Sequence, residues 1–146
     1  IAVGDERVVG IQFIADALGS GKLKLSKPID KVITYHDSCY LGRANGIYEE
    51  PRKIIQAIPG LRLAEMERNR FRSFCCGAGG GRMWMEEKIG TRINQMRTEQ
   101  AVQSKAEWVG TACPYCLTMI ADGIKEKGLE DSLAVFDLSE LVEQSL

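Results

Sequence analysis

Five cysteines, at positions 39, 75, 76, 113 and 116 of 146, constrain this chain more than any other feature. An odd count with two adjacent members is a poor disulfide framework, so a reducing compartment is the better expectation. Cys39 stands alone, Cys75-Cys76 runs into Gly77-Ala78-Gly79-Gly80-Gly81, and Cys113-Pro114-Tyr115-Cys116 is a C-x-x-C. Thiolates gathered in a domain with a single histidine select a soft centre, zinc or iron–sulfur, over calcium, magnesium or a carboxylate-bound metal.

Whether the sulfurs can meet depends on the fold. Short apolar runs alternate with helical stretches from Lys31 onward, which predicts an α/β domain with a mainly parallel sheet and helices on both faces. Strands are expected at 32–35, more weakly at 61–66, at 108–112 and at 133–136. Helices are expected from Glu49-Glu50-Pro51, with Ile54, Ile55 and Ile58 as the buried stripe, and at 83–105, with Ile89, Ile93, Met96 and Val102 as its stripe. A further helix at 114–127 is closed by Gly128, and a short one ends the chain. In residues 1–30, Val8, Val9, Ile11, Phe13, Ile14 and Leu18 predict an amphipathic helix, followed by a connector at Gly19-Ser20-Gly21; residues 31–146 form the cysteine domain. In a parallel sheet Cys39 and Cys113 each follow the carboxyl end of a strand, the edge where open α/β sheets place their sites. The glycine loop reaches the same crevice, so one edge is expected to collect all five sulfurs.

The neighbouring residues refine this. Proline suits the first helical position, which places Cys113 at the N-cap and Cys116 on the first turn, where free N–H groups favour thiolates. Adjacent side chains of an extended chain point to opposite faces, so Cys75 and Cys76 reach one centre only through a sharp turn. Gly77, Gly79, Gly80 and Gly81 permit that turn and let backbone N–H groups approach anionic sulfur. A structural zinc is closed by four ligands, which leaves a fifth thiolate surplus, whereas a multi-iron cluster has more valences to fill. His36 is either an outer ligand, a tuning group or an ordinary buried histidine. Met83, Trp84 and Met85 are expected to pack, with Trp84 also placed to cover the site, and Arg43 and Arg82 flank the ligand loops.

Several classes are excluded. Nineteen Lys and Arg against 20 Asp and Glu leave a net charge of −1, so no overall basic field collects nucleic acid or anionic lipid. The longest uncharged stretches, 8–15 and 108–121, fall short of the roughly 18–20 apolar residues of a membrane span. The glycine run lacks the last glycine of G-x-G-x-x-G and any Gly-Lys-Ser/Thr, so nucleotide binding is not expected. Cys-Pro-Tyr-Cys is also the glutaredoxin tetrapeptide, but such a fold places it early with a cis-proline downstream, and here no proline follows Pro114. A chain that starts at Ile1 without a signal-like segment is expected to be a piece of something longer.

The stretches His36-Asp37-Ser38-Cys39-Tyr40-Leu41-Gly42-Arg43, Cys75-Cys76-Gly77-Ala78-Gly79-Gly80-Gly81-Arg82-Met83-Trp84 and Ala112-Cys113-Pro114-Tyr115-Cys116 together resemble the cysteine-rich CCG domain found in the B-type component of heterodisulfide reductase and in Fe–S oxidoreductases associated with electron-transfer flavoprotein. The likeness runs from about Lys31 to the C-terminus, and Ser38 departs from it where relatives usually carry proline. The resemblance implies that all five cysteines bind an iron–sulfur (4Fe–4S) cluster, of non-cubane form in heterodisulfide reductase. It implies an electron-transfer domain, the C-terminal copy within a longer oxidoreductase subunit, inactive alone, with other redox subunits such as electron-transfer flavoprotein as partners. A cytoplasmic setting follows, at the inner face of a membrane through the remainder of the parent. Beside it stand a zinc-bound structural or interaction domain and, third, a dithiol redox domain.

Overall fold

The computed structural model describes residues 10–86 and 88–146. Strands β1 (Val32–Tyr35), β2 (Arg62–Leu63), β3 (Trp108–Thr111) and β4 (Ala134–Asp137) form one sheet in the order β2-β1-β3-β4, every pair parallel. Five helices cover it: α1 (Gly10–Gly19), α2 (Glu49–Ala57), α3 (Ile93–Gln103), α4 (Pro114–Glu126) and α5 (Leu138–Ser145). Parallel strands buried on both sides must alternate between two cores, and they do. Ile33 and Tyr35 join Ile11 and Ala15 of α1, Ile54 and Ile55 of α2, and Leu138, Leu141 and Val142 of α5. On the other face Val109 packs with Met66, Ala101 of α3, Ile120 and Ile124 of α4, and Leu133.

Strand order fixes where a site can form. The chain leaves β1 for β2 on one side and then crosses back to β3 on the other, so the switch in direction lies between β1 and β3. Cys39 lies four residues beyond Tyr35 and Cys113 two beyond Thr111, so both emerge at this switch. The ladder between β1 and β3 holds these exits side by side, and Gly110 leaves room for the face above it: a Cβ there would sit 3.1 Å from the Ile33 side chain and 3.2 Å from that of Leu138.

Three expectations need correction. No helix spans 83–105: Gly79–Trp84 is a short helical turn broken by left-handed Gly80 and Gly81, Gly90 is also at positive φ, and α3 starts only at Ile93. The expected apolar stripe is not the buried one, since Ile89 is 96% exposed and Met96 and Val102 face solvent, while Asn94, Arg97, Thr98 and Ala101 are buried. This polar face is possible because Gly123 lets α4 approach closely; a Cβ there would lie 2.3 Å from Thr98 Oγ1 and 3.0 Å from the Asn94 carbonyl oxygen. Second, Trp84 and Met85 do not pack but are largely exposed, and only Met83 is partly buried. Third, the strand expected at 61–66 shrinks to two residues, because β2 is an edge strand that pairs with β1 alone. Val8 and Val9 of the expected N-terminal helix lie outside the described residues, and Phe13 is exposed. No helix among the described residues is long and apolar enough to cross a membrane.

Candidate metal centre

Three segments meet at the β1/β3 switch. Past β1, residues 36–39 lead into the π turn Tyr40–Ala44, closed by the Ala44 N–H donating to the Cys39 carbonyl oxygen at 3.1 Å. Past β3, Cys113 is the extended N-cap of α4 and Pro114 its first residue, which sets Cys116 in the first turn beneath the free N–H groups. Between them, Cys76 is followed by Gly77 at φ +97°, a conformation closed to residues with a Cβ. A Cβ there would also lie 3.2 Å from Ile93 Cβ and 3.3 Å from the Asn94 nitrogen. That sharp turn is why both Cys75 and Cys76 face one cavity.

The cavity measures about 680 Å³, and Cys39, Cys75, Cys76, Cys113 and Cys116 all line it. Gly79 and Gly81 contribute to its wall; Gly77 and Gly80 do not line it, but both stand at positive φ in the loop. Its rim is aromatic and open, with Tyr40, Trp84 and Tyr115 all exposed. At its floor the Cys116 and Cys76 sulfurs are hydrogen-bonded 3.4 Å apart, and both are buried. These two sulfurs and a ring nitrogen of His36 lie within 4.8 Å of one another; Cys39, Cys75 and Cys113 line the same space outside that tight group. Cys39 is exposed, and Cys75 and Cys113 are half-buried.

Two neighbouring thiols, Cys75 and Cys76, are held away from ionisation by hydrogen bonding and burial. Hydrogen bonding to Cys76, and then burial, push Cys75 well above the ordinary thiol range, against the N–H groups of Gly77 and Gly79, which favour its thiolate. The Gly77 N–H donates to Cys75 Sγ at 3.3 Å. Cys76 is pushed up to about 11, first by its hydrogen bond with Cys116, while Cys75 and the Ala78 N–H pull the other way. Crowded sulfurs whose thiolates are opposed by one another and favoured by backbone donors are what a bound cation resolves. The donor set at the wall is sulfur without carboxylate, which fits a thiophilic centre. The Ser38 hydroxyl, buried on the same wall, has no hydrogen-bond partner among the described residues, and a sulfur-rich centre beside it offers an acceptor.

Behind the sulfurs stands a polar scaffold that the sequence did not advertise. Arg52 donates Nη1 and Nη2 to the two oxygens of Asp37 at 2.8 and 2.9 Å, and Nε and Nη2 to Glu65 at 2.6 and 3.0 Å. Burial alone would lower the Arg52 pKa, but the hydrogen bonds to Asp37 and Glu65 hold it above the usual guanidinium value. Asp37 also accepts from the Arg70 N–H at 2.7 Å, and its carbonyl accepts from Ser73 Oγ at 3.0 Å. The Cys39 segment and the approach to Cys75 are thus tied at one buried carboxylate. His36 is buried and accepts at Nδ1 from Arg97 Nε at 2.9 Å; burial first, then the Arg97 and Arg43 charges, hold its pKa well below the ordinary histidine value. Arg52, Asp37 and Arg97 were missed because arginine and aspartate in a helix or loop read as solvated surface. The available signal was Asp37, placed between a strand and a cysteine.

Comparison with known proteins adds to the geometry. The model of the cysteine-rich CCG domain matches residues 33–121. Over 135 residues the chain is 51% identical to the probable iron-sulfur-binding oxidoreductase FadF of Bacillus subtilis, covering 92% of this chain and 19% of that protein. It is 48% identical over 138 residues to the EtfAB:quinone oxidoreductase of Syntrophomonas wolfei, covering 90% and 19%, respectively. It is 38% identical over 135 residues to one subunit of the dihydromethanophenazine:CoB–CoM heterodisulfide reductase of Methanosarcina barkeri, covering 92% and 32%. The chain therefore spans about a fifth to a third of the length of these relatives. No solved structure matches it.

Proposed function

The chain belongs to the cysteine-rich CCG domain family, and from that premise we propose that it is the iron–sulfur electron-transfer domain of a heterodisulfide reductase-like oxidoreductase subunit. In this reading Cys39, Cys75, Cys76, Cys113 and Cys116 hold one four-iron cluster, and the loop of Gly77, Gly79, Gly80 and Gly81 cradles it with backbone N–H groups. The observation that carries the reading is that five cysteines from three separate segments line a single cavity with no carboxylate on its wall. When bound, such a cluster supplies a carrier that accepts and releases electrons. The chain's own residues then do three things. The α4 N-terminus and the glycine loop offer donors to anionic sulfur. Cys76 and Cys116 anchor the buried floor, whereas exposed Cys39 and the aromatic rim open the cavity toward an electron-exchange partner.

Partners follow from chemistry and kinship. The relatives are oxidoreductases, one named for EtfAB and quinone and one belonging to a heterodisulfide reductase. We place the domain between a flavoprotein dehydrogenase, with electron-transfer flavoprotein as the specific candidate, and a further acceptor. The setting is cytoplasmic, at a membrane face through the rest of the parent; another relative is named a probable membrane-anchored ferredoxin.

A zinc-bound structural domain is the second reading, favoured by the compact group of Cys76, Cys116 and His36. It leaves at least one cysteine of the cavity wall without a task, because tetrahedral zinc closes with four ligands. Anaerobic loading separates the two. Equimolar protein is offered iron with sulfide, or zinc, and metal and acid-labile sulfide are counted with the visible spectrum. Several irons per chain with broad visible absorption support the electron-transfer reading; one zinc per chain with no iron uptake overturns it.

A further inference from the structure

Arg97 is an arginine buried to 1% exposure on the polar face of α3, and every acceptor it reaches among the described residues is neutral. Nε donates to His36 Nδ1 at 2.9 Å, Nη1 to the Arg68 carbonyl at 3.0 Å and to Gln100 Oε1 at 2.7 Å, and Nη2 to Ser73 Oγ at 3.4 Å. Asp37 is the carboxylate whose charge favours Arg97 most, but both its oxygens are engaged by Arg52. A buried cation without a paired anion is costly to keep, and persists where something else nearby supplies negative charge. The candidates are the sulfurs of Cys76 and Cys116, which lie within 4.8 Å of a ring nitrogen of the histidine that Arg97 holds.

The contact with His36 decides what that histidine can do. A ligating histidine almost always donates its second ring N–H to a carboxylate, carbonyl or water. Here the second nitrogen, Nδ1, faces the N–H of a guanidinium, which has no lone pair to offer. Nδ1 must therefore carry the lone pair, and the ring proton resides on Nε2. Nε2 as a metal ligand would require moving that proton to Nδ1, directly against the Arg97 N–H. An Nε2–H is instead a donor, and the nearest groups that become anionic are the sulfurs of Cys76 and Cys116, within 4.8 Å of a ring nitrogen, so a centre bound to them brings an acceptor to this donor.

We propose that Arg97 is a positioning residue that locks His36 as an Nε2–H hydrogen-bond donor to the sulfur centre, excluding it as a ligand, and that the Arg97 guanidinium is the buried positive charge that balances the gathered thiolates. This rests on the cysteines holding an iron–sulfur centre, and it goes beyond the ligand set by assigning the two groups that set its charge balance. Donors and positive charge favour the more negative, reduced form of the centre, so both residues raise its reduction potential.

His36 is the single histidine of the chain, so ¹⁵N-histidine labelling gives one imidazole to observe. In the metal-free 146-residue protein, long-range ¹H–¹⁵N spectra should show the neutral ring with its proton on Nε2. An Nδ1–H tautomer or a doubly protonated ring would overturn the proposal. In the iron-loaded protein, pulsed electron paramagnetic resonance should show the ¹⁵N coupled only weakly; a coupling of the size of a directly bound nitrogen would also overturn it. Arg97→Gln and His36→Phe should shift the potential downward, with Arg97→Lys retaining part of it, and unchanged potentials would refute the charge-balancing role. Should Arg97→Gln not fold, the wild-type tautomer and coupling still decide. Failure to take up iron would sink the cluster reading of the cysteines, whereas the tautomer separately judges the Arg97–His36 lock.

Discussion

Replacing Arg52 with methionine isolates what holds the sulfur segments in place. The side chains of Arg52 and Asp37 are each only 2% exposed. Asp37 accepts two hydrogen bonds from Arg52 and one from the Arg70 N–H, so the substitution leaves a buried carboxylate with one donor. Removing one partner of a buried pair costs about 3–5 kcal/mol, mostly the penalty of the stranded charge. At roughly 3 °C per kcal/mol for a domain of this size, thermal unfolding of the metal-free chain should fall by about 10–15 °C. Arg62 provides the control, since it makes a 2.6 Å bridge to Asp30 with side chains 60% and 84% exposed. Arg62→Met should cost under about 1 kcal/mol, because solvent already screens that pair. The double variant Arg52→Met with Asp37→Asn should recover part of the loss, as the stranded charge is gone while an acceptor for the Arg70 N–H remains. Circular dichroism melts of the four proteins measure this, and metal uptake should fall with Arg52→Met, because Asp37 ties the Cys39 and Cys75 segments together. If Arg52→Met melts within about 3 °C of Arg62→Met, the buried scaffold does not hold the site.

Two local predictions accompany it. Gly77→Ala should cost about 1–3 kcal/mol from strain at φ +97°, and should reduce metal content, since the turn aims Cys75 and Cys76 inward. Gly128→Ala, at φ +64° with open space around its Cβ and away from the cavity wall, should cost about 1–2 kcal/mol and leave metal content near wild type; melts and metal counts distinguish the pair. Ser38→Ala removes a buried hydroxyl that has no hydrogen-bond partner among the described residues, so it should raise the stability of protein prepared without metal by about 1 kcal/mol. The same change should lower the potential of the loaded centre; a destabilised metal-free Ser38→Ala would show that the hydroxyl is already satisfied.

The α/β class, three of the strands, and α2 and α4 were legible because their apolar runs and end signals agree: Pro51 and Pro114 open helices, and Gly128 at φ +64° closes one. The convergence of five cysteines was legible for a topological reason, since Cys39 and Cys113 follow parallel strands that lie side by side. What was not legible is instructive. The region 83–105 has helical composition, but Gly90 at positive φ and the turn at Gly79–Trp84 confine the helix to Ile93–Gln103. Periodicity pointed to Ile89, Met96 and Val102, while tertiary contact with α4 at Gly123 buried Asn94, Arg97 and Thr98 instead. A polar face buried against a site carries no hydrophobic signature, so Arg97 was invisible from sequence. His36 stands out in the sequence as the single histidine, but which ring nitrogen holds its proton depends on Arg97, 61 residues away.

Five single serine variants decide whether all five cysteines serve one iron–sulfur centre. Each protein is loaded anaerobically, its iron and sulfide are counted, and electron paramagnetic resonance spectra are recorded in oxidised and reduced forms. Four thiolates satisfy a tetrahedral zinc or a cubane cluster, so those alternatives leave one of Cys75 and Cys76 replaceable. Cys39→Ser, Cys75→Ser, Cys76→Ser, Cys113→Ser and Cys116→Ser should each lower the iron count or alter the spectra. One variant with wild-type iron content and unchanged spectra would contradict the five-thiolate centre, and stoichiometric zinc with rejection of iron across the series would contradict electron transfer itself.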